Sequence, residues 1–509
     1  MKENLLNNKI FDDINGHSLD IEQRKIILDD SSNLLVVAGA GSGKTLTILG
    51  KIKYLIEIEK INPKEILCIS FTNETVNNLK NKVEYNIDIF TFHKLSLEIL
   101  KDYNYYYKIA ESNLLEYIVN EYFESSLFYQ GKLDFIISYF KYYLKDIKDL
   151  DIDKIKVEYN NLFTSYKKLI IKFINLIKNN DYDINLLRKY LKRNKYIFNG
   201  KKKLKNVCFF IIVFDIYRIY LEELSSNLRI DFDMMLKISS NLIKKYGIKR
   251  YYKYIIIDEW QDTSMIRYDL IKNISYECDS KVICFGDDFQ SIYKFSGCTM
   301  DLFVNFKKYF KPSKILYMHK TYRNSMELIR IAYSFIIKNH YQLSKILVSY
   351  KKLNNPLKVV YYTRSNYKYK FNKLIEKLYK ENKREILVLG RCHHDIKLVY
   401  DQDLNNGYLN YLDMNIRFLT VHASKGLESE NVIILNLSDE ILGFPNKIED
   451  DEVIKLFFKT KERMLYAEER RLFYVALTRT KNNVYLITKK NHESIFVKEI
   501  INKCEVIDI

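Results

Sequence analysis

The feature that most constrains the fold is a glycine-rich loop between an apolar stretch and an amphipathic one. Residues 34–37 read LLVV, residues 38–45 form the loop AGAGSGKT, and LTILGKIKYLI follows from Leu46. In this order a strand leads into a loop whose backbone N–H groups surround a phosphate at the start of a helix. The sequence therefore predicts a phosphate-binding loop in an α/β domain.

The residue types in this loop favour a nucleotide and a magnesium ion as ligands. The Lys44 ammonium is expected between the β and γ phosphates of ATP, and the Thr45 hydroxyl is expected to ligate Mg²⁺. Glycines let the backbone approach the phosphates closely. We therefore expect the whole loop to bind ATP, namely Ala38, Gly39, Ala40, Gly41, Ser42, Gly43, Lys44 and Thr45.

An acidic pair follows another apolar run. Three isoleucines precede Asp258 and Glu259, and adjacent carboxylates at a strand end point in different directions. They can therefore divide metal binding from water activation. We expect Asp258 to hold Mg²⁺ and Glu259 to position or deprotonate the attacking water. A surface turn is the alternative for such a pair, but the isoleucines favour a buried strand.

Eight short apolar or β-branched runs alternate with helical stretches, which predicts an α/β fold with parallel sheets. Four runs begin before residue 290 and surround the phosphate chemistry, whereas four begin after residue 357 among arginine-bearing motifs. Two α/β domains that face each other are therefore favoured over one sheet. We expect the break between them near residues 311–314.

A long helical stretch interrupts the first domain. Between residues 101 and 239 the strand pattern disappears, and apolar residues recur at helical spacing among Lys, Glu and Asn. This pattern predicts a helical insertion. The expected division is 1–105 and 231–312 for the first domain, 106–230 for the insertion, and 313–509 for the second domain.

The charge balance favours a polyanionic partner. Lys and Arg outnumber Asp and Glu by 82 to 64, which gives a formal net charge of +18, and such a field attracts polyanions. Nucleic acid is therefore the leading partner. The alternative for part of the bias is an AT-rich genome, which enriches Lys, Asn, Ile and Tyr through codon composition.

Cysteine spacing and hydropathy indicate the cellular compartment of the protein. The seven cysteines include no C-x-x-C pair, which argues against a disulfide framework or a zinc ribbon. The N-terminal stretch lacks an apolar signal core, and the longest apolar runs are far shorter than the ~20 residues that span a bilayer. We expect a cytoplasmic protein in a reducing compartment, with no membrane partner.

Further motifs make the chain resemble a known family from about Leu19 to Ile487. It is similar to the UvrD/Rep DNA helicases of superfamily one, and among them to bacterial helicase IV, through the motifs GDDFQSIYKFSGC, ILVLGRCHH, TVHASKGLE, GFP and AEERRLFYVALTRT. The resemblance implies a P-loop NTPase with two RecA-like domains. It also implies an ATP-dependent DNA translocase or helicase that moves 3′ to 5′ on single-stranded DNA.

The resemblance assigns further residues to the nucleoside end of the ATP site. LDIEQRKII resembles the Q motif, so Gln23 is expected at the adenine edge, where an amide offers both a donor and an acceptor. Tyr322 resembles the residue that stacks on the adenine ring. Glu428 resembles the carboxylate that accepts a hydrogen bond from the ribose.

The same resemblance implies that contacts to the γ-phosphate come from both domains. Arg323 and Arg479 resemble two arginines that reach the γ-phosphate from the second domain, and Gln290 resembles a sensor that links hydrolysis to the DNA groove. Arginines delivered across a cleft stabilise the charge of the transferring phosphoryl group. With Lys44 and the acidic pair, these three residues form the expected catalytic set, and hydrolysis is expected to require closure of the cleft.

The expected DNA-binding residues lie at strand ends and in one loop. Hydroxyls and rings at such places form the stacking surfaces of single-strand binders, and the family uses the corresponding motifs for DNA. Single-stranded DNA and junctions of single- and double-stranded DNA are the expected partners. The residues are Phe71, Thr72, Asn73, Thr91, Phe92, His93, Tyr293, Phe295, Thr420, His422 and Ser424.

One departure from the family leaves a second function open. Only residues 391–414 separate ILVLG from the strand that leads to TVHASKG, so the large accessory subdomain of UvrD-like enzymes is expected to be largely absent. The alternative is therefore a DNA-stimulated ATPase subunit that regulates a partner nuclease or another protein. The pathway, DNA repair or defence against phage, stays open.

Overall fold

A computed structural model of the protein describes residues 5–125, 129–145, 147, 149–180, 182, 201–363, 366–401, 404, 406–458 and 461–509, with residues 201–203 described in their backbone only. Within these residues the chain forms two parallel sheets and a helical unit. The α/β class predicted from the alternating runs is therefore confirmed. We refer to the sheets with their helices as the first and second units.

The strands are short, and the central strands of both sheets are buried over most of their length. Parallel strands covered by helices on both faces are continuous runs of Val, Ile and Leu, as in these residues. In chain order the strands are β1 (Asn33–Ala38), β2 (Ile66–Ser70), β3 (Asp88–Thr91), β4 (Lys108–Ile109), β5 (Arg229–Ile230), β6 (Tyr254–Ile257), β7 (Lys281–Gly286), β8 (Lys314–Met318), β9 (Leu357–Tyr362), β10 (Glu385–Gly390), β11 (Tyr408–Leu409), β12 (Asn415–Thr420), β13 (Ser429–Ile434), β14 (Thr480–Lys489) and β15 (Glu505–Val506).

Helices connect these strands. Many begin at a side-chain N-cap, as Asp20, Thr91 and Asp231 do by accepting a backbone N–H of the first turn. The helices are Ile21–Ile27, Lys44–Glu57, Asn73–Lys82, Phe92–Asp102, Leu114–Glu124, Leu133–Phe140, Ile152–Glu158, Asn160–Asn179, Lys201–Ser226, Phe232–Tyr246, Met265–Cys278, Asp301–Val304, Phe306–Tyr309, Met326–Ile336, Tyr367–Lys380, Glu452–Phe457, Ala467–Leu477 and Ile495–Ile500. Among the described helices, none combines the length and apolar character needed to cross a membrane.

The first sheet has the order β3-β2-β6-β7-β1-β8, with every pair parallel. The glycine-rich loop and the acidic pair follow β1 and β6, so both lie at the carboxyl edge of this sheet. β8 pairs with β1. The first sheet therefore extends beyond the boundary that we expected at residues 312–313.

The second sheet has the order β11-β12-β10-β13-β14-β9-β15, and its only antiparallel pair among the described residues is β11 with β12 at one edge. Residues 391–414 join β10 to β12 and contain the 3-10 helix His393–Leu398 and the edge strand β11. Arg479 lies just before β14, and Glu428 lies just before β13. Both therefore lie at the edge of the second sheet that faces the first unit.

The described residues between β4 and β5 form the helical unit, which has a core of its own. The ring of Phe173 lies 5.5 Å from that of Phe209 at its centre. A segment of the second unit also enters this core, because Val453 and Ile454 are buried in it and Phe457 lies 5.5 Å from Phe173. The helical unit therefore contacts the second unit as well as the first.

Candidate functional site

The glycine-rich loop turns sharply between β1 and the helix that begins at Lys44. Gly41 and Gly43 have φ values of 69° and 84°, in the left-handed region that favours glycine. A Cβ at Gly43 would lie 2.7 Å from Nε2 of Gln23, and a Cβ at Gly41 would lie 2.5 Å from Cβ of Arg323. The loop thus presents its backbone at a helix start and has close neighbours on both sides.

The Lys44 ammonium donates a hydrogen bond of 2.7 Å to Oε1 of Glu259. Burial acts to lower the pKa of Lys44, but the carboxylates of Glu259, Asp258 and Asp287 outweigh it and raise that pKa. Burial acts to raise the pKa of Glu259, but Lys44 and Lys425 hold it below its usual value. Both members of this ion pair are therefore charged.

The acidic pair lies in a buried turn at the end of β6. Glu259 has φ of 54°, an uncommon conformation for a residue other than glycine, and Trp260 is fully buried beneath it. Oδ1 of Asp258 accepts the Glu259 N–H over 2.9 Å, and the Gln261 amide donates to Glu259. Burial and the neighbouring Glu259 raise the pKa of Asp258. The two carboxylates thus have different partners, and the turn is buried, so the surface-turn alternative is wrong.

Gln290 links the two units at the end of β7. Its Nε2 donates to Asp287 over 2.6 Å, and its Oε1 accepts from Nη2 of Arg479 over 2.9 Å. Asp287 also accepts from the buried ammonium of Lys345. The Gln290 amide is therefore fixed between an acid of the first unit and an arginine of the second.

Arg479 is almost fully buried, at 1% exposure. Its Nε donates to the Val475 carbonyl over 3.1 Å, and its Nη1 donates to the Leu427 carbonyl over 3.2 Å. Burial and the nearby Arg323 lower the pKa of Arg479 to about 9. Because that pKa is above neutral pH, the guanidinium stays charged, and its carbonyl partners fix its direction.

The segment after β8 is attached to the glycine-rich loop. Oγ1 of Thr321 donates to the Ala40 carbonyl over 2.7 Å, and the Tyr322 N–H donates to the Gly41 carbonyl over 2.9 Å. Nε of Arg323, next along the chain, donates to Glu428 over 2.7 Å. The loop, Arg323 and the second unit are therefore in continuous contact.

Gln23 and Tyr322 flank Gly43 on the other side of the loop. Oε1 of Gln23 accepts the Asp20 N–H over 2.9 Å, whereas its buried Nε2 makes no hydrogen bond within the described part of the chain. The Tyr322 ring is 51% exposed and its hydroxyl donates to Asp20 over 2.6 Å. A buried donor and an exposed ring beside a phosphate-binding loop suit an adenine base.

These groups line one cavity of about 940 Å³ at the cleft, which is within the range of small-molecule sites. Ala38 does not line it, because it ends β1 and is fully buried. The other residues predicted for ATP binding and catalysis all do, namely Gln23, Gly39, Ala40, Gly41, Ser42, Gly43, Lys44, Thr45, Asp258, Glu259, Gln290, Tyr322, Arg323, Glu428 and Arg479.

Thr45 and Asp258 give this cavity a hydroxyl and a carboxylate, the hard oxygen donors that Mg²⁺ prefers. Among the described residues there is no cluster of three or more His, Cys, Asp or Glu side chains that could hold a metal. A magnesium ion at this place would therefore take its remaining ligands from phosphate oxygens and water, as it commonly does in nucleotide sites.

An aromatic cluster spans the cleft beyond Gln290. Phe295 is 56% exposed, and its ring lies 5.9 Å from Tyr293 and 5.6 Å from His422 of the second unit. The Tyr293 hydroxyl donates to the His422 carbonyl over 3.3 Å. Burial and Arg391 lower the pKa of His422 to about 4, so its ring is neutral. The cluster therefore offers uncharged faces to a base.

Of the residues predicted for DNA binding after β2, two are exposed and one packs inside the first unit. Thr72 and Asn73 are exposed at the start of a helix, where Oγ1 of Thr72 accepts the Thr75 N–H over 3.1 Å. The Phe71 ring lies 5.5 Å from that of Phe92 inside the unit. Of these three, only Thr72 and Asn73 thus face solvent fully.

Four predicted DNA contacts have little or no exposed surface. Phe92 is 2% exposed and packs in the core, and Ser424 is fully buried with its hydroxyl donating to the Val421 carbonyl over 2.8 Å. Thr91 and Thr420 are 9% and 8% exposed. The side chains of Phe92 and Ser424 therefore offer almost no surface to a ligand in this structure.

His93 lies between these extremes. It is partly buried, and its ring lies 4.8 Å from that of Phe232. Burial and Arg267 lower its pKa to about 4. Its ring, in the first turn of the helix Phe92–Asp102, is therefore neutral.

Sequence reasoning missed two lysines that hold this site together. Lys425 contacts Asp262 and the Gln290 carbonyl, and its place in the motif TVHASKG could have drawn attention to it. Lys345 contacts Asp287 from 58 residues away. No local pattern marks such a distant pair.

Comparison with known proteins identifies the same regions. The family model described as the UvrD/REP helicase N-terminal domain matches residues 19–311, and that of the UvrD-like helicase C-terminal domain matches residues 396–491. Together they include most of the cavity and the aromatic cluster.

Individual relatives are more distant. The chain is 24% identical to DNA helicase IV of Escherichia coli over 97% of its own length and 72% of that protein. It is 28% identical to the ATP-dependent DNA helicase Rep of Buchnera aphidicola subsp. Schizaphis graminum over 84% of its own length and 62% of that protein. A probable DNA helicase of Mycoplasma pneumoniae is 24% identical, with 92% and 83% covered.

The contact between Gly41 and Arg323 generates a prediction. Gly41→Ala adds a methyl group 2.5 Å from Cβ of Arg323 at a left-handed φ, so the loop must shift away from the cavity. We expect the dissociation constant of a fluorescent ATP analogue to rise about ten-fold or more, since a lost loop contact of 1.4 kcal/mol is worth a factor of ten.

Gly131→Ala is the matched control, because nothing lies within 4 Å of its Cβ position. It should bind the analogue as the wild type does. Wild-type affinity in Gly41→Ala would contradict the close packing of the loop against Arg323.

Proposed function

The chain belongs to the UvrD/REP helicase family, and we propose that it couples ATP hydrolysis at the cleft to 3′-to-5′ movement on single-stranded DNA. As a member of that family it is an ATP-dependent DNA helicase. We propose in addition the direction of movement and the roles of individual residues.

A single observation carries the proposal: one cavity is lined by the phosphate-binding loop, the acidic pair, Arg323 and Arg479. The first two belong to one unit, and Arg479 belongs to the other. A nucleotide bound there would contact both units. Its hydrolysis would therefore change the contacts between them, which is what movement on DNA requires.

The Lys44 and Glu259 pair suggests how ATP binding prepares the water-activating carboxylate. The two side chains are 2.7 Å apart, and phosphate oxygens would compete with Glu259 for the ammonium. Burial raises the pKa of Glu259 and Lys44 is the strongest influence that lowers it, so release from Lys44 would make this carboxylate a better proton acceptor. Glu259 could then accept a proton from the attacking water, and Asp258 and Thr45 would hold a Mg²⁺ ion, which would offset phosphate charge.

Two guanidiniums complete the transition-state contacts. Arg479 already points at Gln290, and Arg323 is 13% exposed in an ion pair with Glu428. We propose that Arg323 leaves Glu428 for the γ-phosphate and that Glu428 then accepts from the ribose. Known arginine fingers are worth about 10³ to 10⁵ in rate, so the second unit would supply much of the catalytic effect.

The DNA track is proposed to pass the aromatic cluster, in which Phe295 is exposed and Tyr293 and His422 are partly buried. Stacking on aromatic rings is tolerant of base identity, as a translocating protein requires. The exposed Thr72 and Asn73 are proposed phosphate contacts. The net charge of +18 supports attraction of the strand.

A second candidate function has one observation in its favour. The connection of β10 to β12 is confined to residues 391–414, the place where UvrD-like enzymes are expected to carry a large accessory subdomain. The second candidate is a DNA-stimulated ATPase subunit that regulates a nuclease. A strand-displacement assay with the purified chain separates the two, because unwinding without a partner contradicts a purely regulatory role.

Lys44→Ala tests the ATP site. Removal of the ammonium should abolish ATP hydrolysis, because it removes the charge that we propose to contact the β and γ phosphates. Affinity for an oligo-dT strand should stay within about three-fold of wild type, since the aromatic cluster is untouched. ATPase assays and fluorescence anisotropy measure the two quantities, and retained turnover would overturn the assignment of the active site.

Phe295→Ala tests the DNA track. Loss of one stacking ring is worth about 1 to 3 kcal/mol per base, so affinity for oligo-dT should fall by about 5- to 150-fold. Tyr276→Ala is the control, because Tyr276 is 84% exposed on the helix Met265–Cys278. Equal affinities of the two variants for oligo-dT would contradict a contact between Phe295 and DNA.

A further inference from the structure

Lys425 extends from the second unit into the first. It lies in the turn after β12, and only 9% of its side chain is exposed. Its ammonium forms an ion pair with Asp262 and donates a hydrogen bond of 2.7 Å to the main-chain carbonyl of Gln290. One cation therefore contacts two separate turns of the first unit.

Each of these turns carries a group of the ATP site. Asp262 closes the 3-10 helix Trp260–Asp262, whose Gln261 amide donates to Glu259. Gln290 accepts from Arg479 through its side chain. The two turns are also joined directly, because Oγ of Ser291 donates to the Gln261 carbonyl over 3.1 Å. A shift of the Lys425 ammonium would therefore move the main chain that positions Glu259 and Gln290.

The same ammonium also touches the aromatic cluster. It lies 4.9 Å from the centroid of the Tyr293 ring, within the range of a cation–π interaction. Tyr293 is itself linked to Phe295 and His422. A base that stacks on this cluster would shift the Tyr293 ring and would therefore change the cation–π interaction between that ring and Lys425.

We propose that Lys425 is the positioning residue that transmits occupancy of the aromatic cluster by DNA to the turns that hold Glu259 and Gln290. This inference rests on the proposed function, since it concerns how that DNA track and that ATP site communicate. Lys425 acts through its contacts with Asp262 and Gln290. Its loss should lower the stimulation of ATP hydrolysis by DNA more than it lowers DNA binding.

Lys425→Met tests this role, since it keeps the length of the side chain and removes the charge. We expect the ratio of kcat with saturating oligo-dT to kcat without DNA to fall about ten-fold, within the usual range of coupling between sites. The KM for ATP and the Kd for oligo-dT should each stay within about three-fold. Lys425→Arg should restore at least half of the stimulation ratio, because a guanidinium can still pair with Asp262.

Lys294→Met is the matched control. It removes an equal charge from the exposed loop that carries Phe295, so it should weaken oligo-dT binding and leave the stimulation ratio at saturation unchanged. Asp262→Asn breaks the same ion pair from the other side at constant volume. Asp262→Asn should lower the stimulation ratio as Lys425→Met does. It replaces Lys425→Met as the test variant if Lys425→Met does not fold.

The outcomes separate this inference from the proposed function. Absence of DNA-stimulated ATP hydrolysis in the wild type would contradict the proposed function itself. Wild-type stimulation with an unchanged ratio in folded Lys425→Met and Asp262→Asn would overturn the inference alone. An equal fall of kcat with and without DNA would also overturn it, because the residue would then support the fold of the ATP site only.

Discussion

The buried guanidinium of Arg479 donates a hydrogen bond of 2.9 Å to Gln290 and so connects the two units beside the cavity. A buried charge is costly unless it is paired and hydrogen-bonded. The Arg479 guanidinium is hydrogen-bonded by groups of both units, since its carbonyl partners lie in the second unit and Gln290 lies in the first. Lys425 of the second unit likewise forms its ion pair with Asp262 of the first. Closure of the cleft is thus tied to the pairing of charges within it.

The proposed catalytic side chains all form ion pairs or hydrogen bonds with neighbouring groups. Glu259 is paired with Lys44, Arg323 with Glu428, and Gln290 with both Asp287 and Arg479. Lys44, Glu428 and Arg479 are also groups that a bound nucleotide would contact. Binding would therefore exchange one set of ion pairs for another at little net cost in buried charge, so the units can respond to the state of the nucleotide.

The sequence was sufficient for the features that depend on local pattern. The glycine-rich loop, the buried strand before Asp258 and the two sheets follow from short runs of residues, and the arginines across the cleft followed from resemblance alone. β8 was missed because it is an edge strand whose residues are mostly only partly buried, so it lacks the all-apolar pattern. The burial of Phe92 was not visible in the local pattern, because Thr91 caps a helix there and turns the next ring into the core. The contact of Lys345 with Asp287 joins distant parts of the chain, which no local pattern reveals.

The central claim is that the second unit supplies a catalytic charge to a nucleotide held by the first. Arg479→Gln removes that charge and keeps most of the side-chain volume, and single-turnover ATP hydrolysis with saturating oligo-dT measures the effect. The account predicts that the rate falls by about 10³-fold or more, as for other arginine fingers, while the Kd for ATP stays within about ten-fold. A folded variant that hydrolyses ATP within about ten-fold of the wild-type rate would contradict it.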